Sequence, residues 1–323
     1  MKIAVILFNL GGPDSIHAVR FFLRNLFNDP AILPLPFPIR PILASFLSRR
    51  REKLAQDIYR RIGGRSPLLE QTEAQALALQ NRLLQDGLQA RCFIAMRYWN
   101  PMTQEALEKL CQWGAEEIIL LPLYPQYSTT TTGSSLQEWQ LQAKSRKINI
   151  PTHFIRSYPG NPGWVDAQAT LLLRCLDDFS DSGSLPRILF SAHGLPERIV
   201  AKGDPYPEEV AITVNQILNR IGKPALDWVL CYQSKIGPVA WIGPSTESEI
   251  IRAGKDGKSL IVLPVSFVSD HSETLVELDL DYAELARRSG VPAYVRVPAV
   301  GNHPLFIDGL AGLVQKALNW KRD

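Results

Sequence analysis

The sequence predicts a doubly wound α/β protein built in two halves, and three observations carry that reading. Apolar runs of strand length recur at 3–8, 90–96, 117–123, 153–157, 187–190, 227–232 and 260–265, separated by segments with helical spacing. Several of these runs are continuous rather than alternating, as strands covered on both faces are. From about residue 152 the second half repeats the plan of the first, which points to an internal duplication. At 323 residues the chain has room for two domains of ordinary size. With 46% apolar and 21% charged residues it has the composition of a soluble globular protein, and a net charge of +3 is too mild to argue for nucleic acid. Cys92, Cys111, Cys175 and Cys231 lie far apart with no CxxC pair, which argues against a disulfide framework and suits a reducing cytosol.

Taken in order, Ile3–Phe8 is the first strand. The run is too short for a signal peptide and empties into Gly11-Gly12-Pro13 rather than a small-residue cleavage site. No stretch approaches the length of a membrane-spanning helix. Asn9-Leu10-Gly11-Gly12-Pro13-Asp14 is a tight turn whose glycines let main chain approach a ligand, although neither GxGxxG nor a Walker lysine is present. Residues 16–27 are helical, with Val19, Phe22, Leu23 and Leu26 on one face. Residues 30–47 hold five prolines, which forbid a continuous helix or central strand through the first part. Their apolar residues are expected on an irregular loop, either tucked onto the core or forming a lip for a greasy substrate or a membrane surface. Ser48-Arg49-Arg50-Arg51 adds guanidinium forks suited to carboxylates or phosphates.

A second glycine turn, Tyr59–Pro67, precedes a helix at 69–85 and the strand at 90–96, which delivers Arg97-Tyr98-Trp99 to its carboxyl end. A helix at 103–113, the strand at 117–123 and a hydroxyl-rich loop, Ser128–Thr132, complete the half. In the second half, helices are expected at 163–177, 207–220 and 247–253 and a loop at 181–184.

The chemistry gathers at two strand ends. Ser191-Ala192-His193-Gly194-Leu195-Pro196-Glu197 follows the strand at 187–190, where open α/β sheets collect their ligands. A lone histidine there is most often structural, but Ser269-Asp270-His271-Ser272-Glu273 follows the strand at 260–265. The equivalent places in the first half carry Gly11, Gly12 and the hydroxyls at 128–131, so reaction chemistry is assigned to the second half. Two imidazoles and two carboxylates suit a divalent metal, acid–base work, or both in sequence, and Fe(II), Co(II), Zn(II) and Ni(II) all accept such donors. A permanent zinc site needs three or four organised ligands. His193 and Glu273, the two main candidates, suit transient holding instead. Asp270 beside His271 reads as a supporting pair, the carboxylate orienting the ring. Glu273, Glu277 and Asp281 stand at i, i+4 and i+8, forming either a solvated charged face or a cation path.

Together these motifs resemble the ferrochelatases, which insert ferrous iron into a porphyrin. The resemblance covers nearly the whole chain. It rests on Asn9–Pro13, Tyr59–Gly64, Tyr124–Ser128, Thr132–Ser135, Ser191–Pro196, Gly203–Pro207, Gln233–Pro238 and Ser269–Leu275. It implies two Rossmann-like lobes with parallel sheets, a chelatase-like fold with a porphyrin cleft between the lobes. The lobes are expected at 1–151, with a C-terminal helix at 304–323 packing back on it, and at 152–303. It implies His193 as the active-site base and metal-side group, Glu273 as its metal partner, and Asp270 and His271 in support. Arg50, Arg51, Tyr59, Ser66, Arg97, Tyr98 and Trp241 fall where the family handles porphyrin. The implied reaction forms protohaem from protoporphyrin IX and Fe(II), with no organic cofactor. No cysteine follows Cys231, so no iron–sulfur cluster is expected. The expected location is cytoplasmic, with residues 30–47 available for peripheral membrane contact. A chelatase for another tetrapyrrole such as coproporphyrin III, and a non-catalytic porphyrin or haem carrier, are the alternatives.

Overall fold

In a computed structural model of the protein, which describes residues 1–179, 185–223 and 225–319, each half of the chain folds around its own parallel sheet. The loop expected at 181–184 and the end of the expected terminal helix, 320–323, lie outside the described residues. Two compact units result: Met1–Ser157 with the chain from Ile307 onward, and Tyr158–Phe306.

In the first unit β1 (Ile3–Asn9) is central and all seven of its residues are buried, as its unbroken apolar sequence requires. β2 (Ala90–Met96) pairs on one side from Ile3↔Ala90 and β3 (Glu117–Pro122) on the other from Ile3↔Glu117. β4 (Thr152–Phe154) is the edge, so the order is β2-β1-β3-β4. Helices α1 (Val19–Phe27), α2 (Ile39–Arg60), α3 (Leu68–Gln85), α4 (Thr103–Trp113) and α5 (Thr132–Ser145) belong to this unit. Phe8, Phe93, Leu107, Leu110, Ile118 and Trp139 form one of its cores. At Gly12 an added Cβ would lie 2.4 Å from Ser66 Oγ, so the two glycine turns pack too closely for any larger residue.

The proline-rich run departs from expectation. Only 30–38 is irregular, because α2 starts at Ile39 and carries Pro41 in its first turn, where a missing N–H costs nothing. The exposed apolar groups, Phe37 (80% exposed), Ile39, Ile42 and Phe46, therefore stand on the loop and on the first turns of a helix.

The second unit repeats the topology around β5 (Arg187–His193), flanked by β6 (Trp228–Gln233) and β7 (Leu260–Pro264), with β8 (Tyr294–Arg296) at the edge. Its order, β6-β5-β7-β8, matches that of the first sheet strand for strand, the arrangement a duplication produces. β5 runs past the expected Phe190 because Ser191, Ala192 and His193 go on pairing with Cys231, Tyr232 and Gln233. Its helices are α6 (Pro162–Asp178), α7 (Glu197–Val200), α8 (Tyr206–Ile221), α9 (Thr246–Lys255) and α10 (Ala283–Arg288). Asn161 caps α6 by accepting from Trp164 N at 3.1 Å, with Pro162 in the first turn. Between β7 and α10 lies a ten-residue π-helix, Glu273–Tyr282. Such i→i+5 turns are rare, are usually single, and cluster at functional sites. The last helix, α11 (Pro304–Asn319), lies mostly in the first unit, where Arg82 of α3 meets Asp308 at 2.6 Å and Gln315 donates to Asp86.

Candidate active site

β5 ends on His193, and the next residue decides how the ring is held. An added Cβ at Gly194 would lie 3.0 Å from the Gln233 carbonyl and 3.1 Å from the Trp241 ring, so only glycine lets these segments close up. His193 Nδ1 lies 2.6 Å from the Gly194 carbonyl. A carbonyl only accepts, so Nδ1 carries the proton and Nε2 is the atom turned outward. Trp241 and Phe267 flank the imidazole with ring centroids 6.5 Å away.

Glu273 reaches the same place from the first turn of the π-helix. Its Oε1 lies 3.4 Å from His193 Nε2, and its Oε2 lies 3.2 Å from His271 Nε2. Both members of the His193–Glu273 pair remain about a third exposed, at 34% and 31%, so a ligand can reach them. Burial opposes a charge on the imidazole, but the Glu273 carboxylate and the Gly194 carbonyl outweigh it and push His193 up to about 9. Burial likewise opposes ionisation of Glu273, yet His193 and His271 hold it well below the usual carboxylate range. The pair thus rests as imidazolium and carboxylate at neutral pH. Among the described residues no group of three or more His, Cys, Asp or Glu is arranged to hold a metal.

Two sequence expectations change here. Asp270, expected to support His271, accepts from Arg296 Nη1 at 2.7 Å, while Arg296 also forks onto Asp279. Glu273 is the carboxylate beside His271, whose ring packs 4.6 Å from Phe267. The expected ladder also breaks up. Glu277 accepts from Ser234 N at 2.8 Å, Ser234 Oγ at 2.5 Å, Gln233 Nε2 at 3.1 Å and Tyr282 OH at 2.9 Å, whereas Asp281 is exposed. Four donors thus hold the Glu277 carboxylate in place. Burial, and then the Glu273 charge, raise its pKa above the usual range. Ser234 has φ +66°, a left-handed conformation costing about 1–2 kcal/mol for a residue with a side chain. Its two hydrogen bonds to Glu277 offset that strain.

The remaining expected residues, Trp241 apart, lie in the first unit. Arg50 is exposed on α2, and Arg51 lies over the Phe27 ring at 5.9 Å. Tyr59 and Ser66 are buried, and Ser66 Oγ accepts from Leu68 N at 3.3 Å. Tyr98 is only 1% exposed and its hydroxyl donates to Asp29 at 2.7 Å. Arg97 is occupied in the same way. It meets Asp29 at 2.9 Å and donates to Ser134 Oγ at 2.7 Å, while Ser134 in turn donates to Asp29. Sequence reasoning missed Asp29, whose place before Pro30 gave no signal. It also missed Gln233, Ser234, Tyr282 and Arg296, although Gln233 and Ser234 sit in one of the motifs behind the resemblance.

The family profile described as Ferrochelatase matches residues 2–318. The ferrochelatase of Wolbachia sp. subsp. Drosophila simulans (strain wRi) is 49% identical over 314 residues, covering 97% of this chain and 98% of that protein. That of Caulobacter vibrioides (strain NA1000 / CB15N) is 47% identical over 319 residues, covering 98% and 90%. Among solved structures, SirB from Bacillus subtilis with Fe3+ superposes with a TM-score of 0.58 at 13% identity, covering 100% of this chain and 98% of that one. The sirohydrochlorin chelatase SirB from Bacillus subtilis subspecies spizizenii in complex with cobalt gives 0.56 at 12%, with the same coverage. At such low identity these two establish the chelatase-like fold alone. The family profile and the curated relatives, over nearly the full length of the chain, make it a member of the ferrochelatase family.

Proposed function

We propose that the protein inserts Fe(II) into protoporphyrin IX to give protohaem, the last step of haem biosynthesis, with His193 as the base and Glu273 as the metal-side carboxylate. The observation that carries this is the 3.4 Å approach of His193 Nε2 to Glu273 Oε1 at two strand ends of one sheet. Metallation replaces two pyrrole N–H protons by one divalent cation, so the balanced step releases two protons. At rest His193 holds a proton against Glu273 and is no base. A cation arriving at Glu273 takes over as its counter-ion and repels the imidazolium, which gives up its proton to solvent. Neutral Nε2 can then accept one pyrrole proton, pass it to solvent and accept the second as Fe(II) enters. Binding energy at the periphery of the macrocycle would bend the ring and expose a nitrogen lone pair. No organic cofactor or iron–sulfur cluster is called upon.

Anaerobic incubation of the purified protein with Fe(II) and either protoporphyrin IX or coproporphyrin III tests the proposal by product spectrum. Faster turnover of protoporphyrin IX is expected. Preference for coproporphyrin III would reassign the substrate, and porphyrin binding without metallation would make the protein a carrier.

Among the described residues no helix is long and apolar enough to cross a membrane. We propose peripheral contact instead, through Phe37, Ile39, Ile42 and Phe46, the exposed apolar groups of the loop and first turns of α2. Changing Phe37, Ile42 and Phe46 to serine is expected to lower partition onto lipid vesicles and to leave the melting temperature unchanged. Being already exposed, these groups lose little on unfolding. Undiminished vesicle binding would end this reading.

A further inference from the structure

Gln233 is almost fully buried, yet it joins most of the parts of the site. Its Oε1 accepts from Ser191 Oγ at 2.8 Å, and its main-chain carbonyl accepts from Gly194 N at 2.9 Å, on either side of His193. Its amide Nε2 donates to the Glu273 carbonyl at 3.0 Å and to Glu277 Oε2 at 3.1 Å. Gln233 is 1% exposed, so these bonds have no competition from water. Glu277 in turn anchors Ser234 and Tyr282, one at the end of β6 and the other at the end of the π-helix.

We infer that Gln233 and Glu277 form a bracket that sets the distance between His193 and Glu273, and that Glu277 acts as a positioning residue rather than as a station for iron. The reasoning is geometric. Glu273 sits on a π-helix, and the Gln233 amide grips the carbonyl at its first residue. The same glutamine grips β5 two residues before His193. Any change in register between strand and π-helix must break at least one of these bonds. Glu277 closes the bracket from one turn further along. Its four donors use both carboxylate oxygens, Oε1 for Ser234 N and Tyr282 OH and Oε2 for Gln233 Nε2 and Ser234 Oγ, and an amide still offers one of the two. A cation station, by contrast, needs the negative charge itself.

That difference makes the inference testable by kinetics with metal varied at saturating porphyrin, using Zn(II) or anaerobic Fe(II). Gln233→Ala and Glu277→Ala are expected to lower kcat by about 10–100-fold, the usual cost of losing a partner that orients a metal-side group, with the KM for metal unchanged. Glu277→Gln keeps an acceptor for Ser234 N and Tyr282 OH but turns its amide N–H toward Gln233 Nε2, and is expected to recover part of the lost kcat with the metal KM unchanged. Thermal unfolding of each variant accompanies the kinetics. If Glu277→Ala does not fold, Glu277→Gln and Gln233→Ala decide the matter. A Glu277→Gln variant with kcat intact and a raised metal KM would overturn the inference in favour of a relay. A Gln233→Ala variant turning over at the wild-type rate would overturn it outright. The inference rests on the assignment of His193 and Glu273 to the reaction, and His193→Ala separates the two. An active His193→Ala variant removes that assignment, whereas an inactive one beside an active Gln233→Ala variant removes the bracket alone.

Discussion

Replacing His193 by alanine is expected to cut metallation by about 10²–10⁴-fold, the range over which loss of a general base is felt. The fold should survive, because the ring is a third exposed and flanked by Trp241 and Phe267 rather than enclosed by them. A variant with more than half of wild-type turnover would take His193 out of the mechanism. The pH dependence gives an independent check. Since Glu273 pushes the His193 pKa up to about 9, kcat/KM for porphyrin should climb as pH rises through neutrality toward that value. Glu273→Gln removes the opposing charge and leaves burial to act, so the imidazole titration seen by NMR should move to lower pH. A titration midpoint that stays put in Glu273→Gln would show that the two side chains are not coupled in solution.

The second large effect concerns stability. Asp29→Ala is expected to destabilise the protein by about 3–5 kcal/mol, the cost of leaving one partner of a buried ion pair uncompensated. Arg97 would keep its charge beside Ser134 with only the more distant Glu138, at 3.9 Å, to face it, and the Tyr98 hydroxyl would lose its acceptor. Denaturant midpoints measure this directly. Pairing Asp29→Ala with Arg97→Met should restore part of the loss, since an apolar replacement of both ions is tolerated better than removal of one. Should Arg97 instead serve a porphyrin propionate, Arg97→Met alone would raise the porphyrin KM and Asp29→Ala would cost little stability.

Ferrochelatase membership also sets what these experiments mean. The curated relatives align over nearly the whole chain, so the residues of the bracket belong to the same continuous match as His193 and Glu273. Kinetic defects at Gln233 beside those at His193 would mark a supporting layer around the proposed pair.

By itself the sequence determined both sheets and the two strand ends on which the chemistry stands. Ile3–Phe8 and Leu260–Val265 are unbroken apolar runs, and burial on both faces follows from that composition alone. β8 escaped, because Tyr294-Val295-Arg296 is three residues at an edge, too short for any periodicity to register. The helical start of α2 was hidden for another local reason: Pro41 reads as a breaker until its position within the first turn is known. What only the tertiary structure decided was the choice of partner. Asp270 stands next to His271 in the chain but pairs with Arg296, and Arg97 stands at a strand end as a ligand group would but closes on Asp29. Glu277, four residues after Glu273, turns to Ser234. Each of these pairs spans tens of residues, and charge and hydrogen-bonding capacity have no direction in a sequence. Direction comes from packing, which brought these donors and carboxylates together and left His193 facing Glu273.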